Sequence, residues 1–360
     1  MVDWGEVTRH GGAVAAFHWW TGFGRISVIV FFVLSGYLVG GRALAAIHNG
    51  TFDPAGYTLN RLSRLYPPLL AAIVLTAILD GIGLHFSNTL GYYDYPSTYR
   101  LTGQFAPVAD TLNARTALSN LLFLQTLAAP TFGSDGPLWS LANEFWYYIL
   151  GPLAFLCLLG SSPGRLRVLA VFAALVAAAF WLNGTLLALS VTWLAGAIAY
   201  RHARRLPSPA AIGLMILFAG VAAAERSIRW FPEHQLTADL TLAVFFALAL
   251  WSLGRPGSAP VRGTLSARLA GFSYSLYLVH VPLLFLVSAS ALQWLSTPVR
   301  LQPGALSLSL YAVGLGCAIA LAWLVSRVTE ARTPRVRDWI ARQIPASAFG
   351  RGAGRQRVGG

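Results

Sequence analysis

Nine apolar runs divide the chain, at approximately 26–46, 66–85, 139–159, 166–182, 185–200, 210–224, 238–253, 271–293 and 306–327. Stretches of about 16 to 22 residues with little or no charge predict helices that cross a bilayer whose apolar core is about 30 Å thick. The expected fold is therefore all-α: a polytopic membrane helical bundle of about nine spans. A single membrane domain over 26–334 is expected, since no repeat or long linker interrupts the runs. It is preceded by a short extracytoplasmic segment, 1–25, and followed by an Arg-rich tail, 335–360. The connection 86–138 is long and carries Tyr92, Tyr93, Tyr95 and Tyr99, with a semi-apolar stretch near 116–129. A loop of that size is usually functional or holds a short element of its own.

Polar positions between the runs give a direction. Arg42, Arg61 and Arg64 lie between the first and second runs, and Arg165 and Arg167 follow the third. Arg201, Arg204 and Arg205 follow the fifth, Arg255, Arg262 and Arg268 the seventh, and the tail after the ninth holds eight more arginines, from Arg327 to Arg357. Every second connection is basic, which by the positive-inside rule assigns those loops and the C-terminus to the cytoplasm. Nine spans then leave the N-terminus outside. Residues 1–25 lack the basic start, apolar core and small-residue cleavage site of a signal peptide. A missing upstream helix is the simpler account of that parity.

Composition sharpens this picture. Apolar residues are 56% and charged residues 11% of the 360, well below the roughly 25% charged of soluble domains. The net charge of +13 comes from arginine alone, because the chain has no lysine. Its placement in short loops argues for membrane topology and against a nucleic-acid partner. Cys157 and Cys317 both lie in apolar runs. They are expected to pack as small hydrophobes, with no disulfide and no metal.

Four segments carry candidate chemistry. Phe31–Leu38 reads Phe-Phe-Val-Leu-Ser-Gly-Tyr-Leu and is followed by Gly40, Gly41 and Arg42, so Ser35 and Tyr37 are polar positions inside an apolar run. In Asn60–Pro68, Arg61 and Arg64 stand one helical turn apart and suit a phosphate or pyrophosphate, although any cytoplasmic loop carries arginine. Leu138–Tyr148 places Trp139, Ser140, Glu144, Tyr147 and Tyr148 at the start of the third run. Ser140, Glu144, Tyr147 and Tyr148 share a helical face. A carboxylate at that depth calls for a polar interior and a partner. Ser273–Pro282 crosses the middle of the eighth run, with Ser273, Tyr277 and His280 on one stripe. His280 reads equally as a functional ionisable group or as a hydrogen-bonded structural histidine beside a proline kink.

Together these segments resemble the acyltransferase-3 family of integral membrane O-acyltransferases. The resemblance runs through Phe31–Leu38, Arg61–Pro67, Trp139–Glu144, Ser273–His280 and the closing Ser326–Glu330 with Pro334 beyond. It implies transfer of an acyl group, acetyl or similar, from a coenzyme A thioester to a hydroxyl of an extracytoplasmic saccharide. Acyl-CoA would be a co-substrate rather than a permanently bound cofactor, and the setting a bacterial inner membrane. The family pattern implies about ten spans, with an arginine and an essential histidine on the first helix. Arg9 and His18 resemble that pair at shorter spacing. The resemblance implies catalytic roles for Glu144, His280 and His18, donor binding by Arg61 and Arg64, and a passage lined by Ser35, Tyr37, Trp139, Ser140 and Tyr277. A transporter of a small metabolite or lipid-linked sugar, and an inactive acyltransferase-like chain, are the alternatives.

Overall fold

The computed structural model describes residues 12–94, 106–159, 164–228, 234–255, 257, 264–296 and 304–343. The described elements are helical throughout, in order α1 (Gly12–Thr21), α2 (Gly24–Ser35), a π-helical turn (Gly36–Gly40), α3 (Gly41–His48) and α4 (Pro54–Phe86). After a single turn at Val108–Thr111 come α5 (Ala114–Leu121), α6 (Leu138–Leu159), α7 (Arg165–His202) and α8 (Ser208–Ile228). The chain continues through α9 (Gln235–Ser252), α10 (Leu265–Ala270), α11 (Ser273–Trp294), α12 (Ala305–Val328) and α13 (Thr333–Gln343).

Eight helical stretches among the described residues are long and apolar enough to cross a membrane. The expected spans 166–182 and 185–200 fall within α7, whose helical geometry breaks at Asn183 (φ −160°, ψ 93°). Asn183 Oδ1 accepts a hydrogen bond from Thr185 N at 3.0 Å, which caps the second half where it restarts. The first half, Leu166–Ala179, is apolar but short. At about 1.5 Å per residue it reaches only about 21 Å, less than the roughly 30 Å of a bilayer core.

Two compact units make up the chain: one of Asp53–Ala142 and Val261–Gly360, the other of Val2–Phe52 and Asn143–Pro260. In the first, α11 packs on α4 and α12, and α13 lies against α4. The faces of α4 are divided in an instructive way. Leu70, Val74, Ile78 and Ile82 are exposed at four-residue spacing, whereas Leu69, Ala72, Ile73, Thr76, Asp80 and Gly83 are buried. An exposed apolar stripe and a buried face that includes polar groups are what a lipid environment favours. On α12, Gly314, Ala318, Ala322 and Val325 are buried while Val313, Trp323 and Leu324 face outward. Small residues there let helices approach closely. The chain is a multi-pass membrane protein.

The second unit is held by α7, which packs on α2, the π turn, α3 and α9, with α8 against α9. Its tightest contact lies where Gly36 opens the π turn. A Cβ there would come 1.8 Å from Trp193 O, and one on Gly196 would come 2.0 Å from Val33 O. Two glycines on facing helices thus allow backbone-to-backbone contact that no other residue permits. Cys157 is buried in α6, as expected of a small hydrophobe, but Cys317 is exposed on the outer face of α12. Neither is in a disulfide.

Candidate active site

In the second unit, Ser35 of the Phe31–Leu38 segment and polar residues of α6 meet around one carboxylate. Glu144 is 4% exposed. Its Oε1 accepts hydrogen bonds from Tyr148 Oη and, at 3.2 Å, from Ser35 Oγ. Ser35 Oγ also lies 3.3 Å from Tyr148 Oη and accepts from Trp193 Nε1 at 3.3 Å. Helical spacing puts Glu144 and Tyr148 one turn apart on α6. The π turn that follows Ser35 is a local insertion of the kind found at functional positions in helices. A carboxylate that accepts from two hydroxyls, one of them itself held by an indole N–H, is stabilised as an anion by hydrogen bonding.

Tyr37, two residues on, is also buried, and its hydroxyl donates to Gly254 O at 2.7 Å. It pins the turn after α9, where Gly254 adopts φ +74°. Towards the other end of α9, Arg25 forms a two-pronged ion pair with the fully buried Asp239. Bidentate pairing of that kind neutralises a buried charge with strong, directional bonds. Neither Trp193 nor the Arg25–Asp239 pair is foreseen from the sequence. Asp239 offered a signal, a carboxylate inside an apolar run; Trp193 offered none.

The first unit assembles a second polar group. Ser140, one turn before Glu144 on α6, has its Oγ 2.6 Å from Tyr277 Oη of α11 and 3.2 Å from Pro137 O. Trp139 beside it is half-buried. His280 sits one turn beyond Tyr277 and is also half-buried, with Nδ1 at 2.8 Å from Tyr277 O and 3.0 Å from Leu276 O. Carbonyl oxygens only accept, so the neutral ring carries its proton on Nδ1 and presents Nε2 as the basic nitrogen. At the start of α11, Ser275 N donates to Glu330 Oε1 at 2.5 Å, and Arg64 lies within electrostatic range of the same carboxylate. Arg64 is exposed and Arg61 half-buried on the N-terminal part of α4. His18 lies on α1, but its side chain, like Arg9 and His10, falls outside the described residues.

The family described as "Acyltransferase domain" matches residues 6–327. The chain belongs to this acyltransferase family. A protein of Bacillus subtilis (strain 168), provisionally named peptidoglycan O-acetyltransferase YrhL, is 30% identical over 163 residues, 44% of this chain and 23% of that relative. The chain thus matches about a quarter of the relative's length. No solved structure matches. The expectation of a membrane acyltransferase fold stands, and Ser35, Glu144, Ser140 and Tyr277 are now seen with their partners.

Proposed function

We propose that the protein transfers an acyl group, acetyl or similarly short, from a coenzyme A thioester on the cytoplasmic side to a hydroxyl of an extracytoplasmic saccharide. The observation that carries the reading is Glu144, buried on α6 and hydrogen-bonded by Ser35 and Tyr148 within a family of acyltransferases. The relative's name, a peptidoglycan O-acetyltransferase, supports a glycan as the acceptor class. The alternating arginine-rich connections support a cytoplasmic C-terminus and an inner-membrane setting.

In this reaction the acceptor oxygen attacks the thioester carbonyl, the new ester bond forms and the carbon–sulfur bond breaks. The acceptor's proton passes to a base and ends on the departing thiol, so atoms and charge balance. His280 suits the base because its neutral ring leaves Nε2 free of a proton, and histidine is the usual choice for that role. Hydroxyl donors such as the Ser140–Tyr277 pair suit the negative charge that develops on the carbonyl oxygen. In the second unit, Glu144, with Ser35 and Tyr148 fixing its carboxylate, suits a sugar hydroxyl as a hydrogen-bond acceptor. Arg61 and Arg64 hold the CoA phosphates, for which planar guanidinium forks are apt.

The test uses membranes containing the protein, labelled acetyl-CoA and the host's cell-envelope glycans. Label should reach the glycan fraction with the intact protein and not with Glu144→Gln, while both proteins remain membrane-inserted at equal levels. Equal labelling with Glu144→Gln would reduce Glu144 to a structural residue.

A further inference from the structure

Within the first unit, just upstream of α6, the carboxylates of Asp80 and Asp135 are buried with no ion-pair partner among the described residues. Asp80 of α4 is fully buried, with Oδ2 accepting from Ser134 N and Oδ1 from Ser134 Oγ, both at 2.7 Å. This close approach requires Gly133, whose φ is +55° and whose Cβ would come 2.2 Å from Asp80 Oδ2. The next residue but one, Asp135, is also fully buried. Neither of its carboxyl oxygens has a hydrogen-bond partner among the described residues.

The same burial leaves Thr76 Oγ1 and Tyr93 Oη without a partner among the described residues. Tyr93 is fully buried, and a Cβ on Gly83, one turn after Asp80, would come 2.0 Å from its hydroxyl. Asp80 faces Asp135 and Tyr93 electrostatically, and Tyr92 stands beside Tyr93. The ion pairs found among the described residues, Arg25–Asp239 and Arg337–Asp338, do not reach either carboxylate. No cluster of three or more His, Cys, Asp or Glu among those residues offers a metal site. A proton on one of the two offsets the charge, because two neighbouring buried carboxylates cannot both ionise without a large cost.

The hydrogen bonds decide where that proton resides. Both oxygens of Asp80 accept from donors, which favours its anion; Asp135 accepts from none, which favours its acid. We propose that Asp80 and Asp135 bind one proton between them, resident on Asp135, and that the Asp80 anion is the positioning residue for the start of α6. Burial, and then the charge of Asp80, push the Asp135 carboxyl well above the usual carboxylate range, in agreement with this assignment. Tyr93 is likewise pushed up, first by burial and then by Asp80, so it stays a neutral donor.

The positioning role follows from the chain path. Ser134 lies four residues before Leu138, where α6 begins, and Ser140 and Glu144 lie in its first two turns. Upstream, Asn120 Nδ2 donates to Pro130 O at 3.0 Å and Asn120 Oδ1 accepts from Phe132 N at 3.2 Å. Gln125 Nε2 donates to Leu138 O at 3.0 Å, so the segment is tied at both ends and Asp80 clamps its middle. The inference concerns protonation and backbone order and does not depend on which group the enzyme transfers.

Infrared spectra of the purified full chain in lipid nanodiscs, recorded in heavy water at neutral pH, test it. A protonated-carboxyl C=O band should be present in the wild type, lost in Asp135→Asn and retained in Asp80→Asn. Hydrogen–deuterium exchange over residues 130–140 should rise in Asp80→Asn, whose amide places a donor against Ser134, and stay at the wild-type level in Asp135→Asn. An unchanged band in Asp135→Asn, or a band lost in Asp80→Asn, would overturn the proton assignment. Wild-type exchange over 130–140 in Asp80→Asn would overturn the positioning role. If Asp80→Asn does not fold, the Asp135→Asn spectrum still decides where the proton lies.

Discussion

Glu144 and Asp135 are both buried acids, yet their surroundings ask for opposite charge states. Glu144 accepts from Tyr148 and Ser35, so its anion is solvated by the protein in place of water. Glu144→Gln keeps the shape and an acceptor oxygen but removes the charge. It should lower acyl transfer roughly 100-fold, the size expected when a substrate is no longer held in position, with membrane insertion unaffected. Asp135 keeps its proton in the folded chain where the unfolded chain, near the ordinary carboxylate value of 3.8, has lost it. The native state then binds more protons, so stability falls as pH rises from about 4 towards the folded pKa, by about 1.4 kcal/mol per pH unit. Asp135→Asn removes that slope. Thermal melts should show the variant gaining on the wild type as pH increases through this window; parallel curves would mean that Asp135 is not protonated.

At the scale of elements, close approach of α2 and α7 depends on glycine at two facing positions. Gly36→Ala drives a methyl into the backbone of Trp193, which cannot swing aside as a long side chain would. The expected loss is about 1–3 kcal/mol, read as a lowered melting temperature of the purified protein. Activity should fall as well, because Trp193 donates to Ser35, the neighbour of Gly36. The helices themselves were legible as apolar runs, and the polar Ser35 and Glu144 stood out within them. Their meeting was not, since Ser35 and Glu144 are 109 residues apart and nothing local encodes that contact. Asp80 and Asp239 carried the same signal, a carboxylate in an apolar run, without a motif to draw notice. The gap between the runs 166–182 and 185–200 marked the break at Asn183, but its form was not legible: the two runs are joined by a kink within one helical stretch.

For the molecule as a whole, length and apolarity were enough to foresee a polytopic helical membrane protein, because the bilayer admits few other ways to satisfy backbone hydrogen bonds. Its family follows from a match over residues 6–327. Direction across the membrane and the identity of donor and acceptor rest on arginine placement and on the proposed roles of individual side chains. The central claim is acyl transfer from a CoA thioester, and Arg61 and Arg64 are its most exposed commitment. The most direct measurement is transfer of labelled acetyl groups from acetyl-CoA to envelope glycan in membranes carrying the wild type or the Arg61→Ala/Arg64→Ala double variant. The wild type should label the glycan and the inserted double variant should not, with partial recovery as acetyl-CoA is raised. Equal labelling by both at limiting acetyl-CoA, or no labelling by the wild type, would contradict the account.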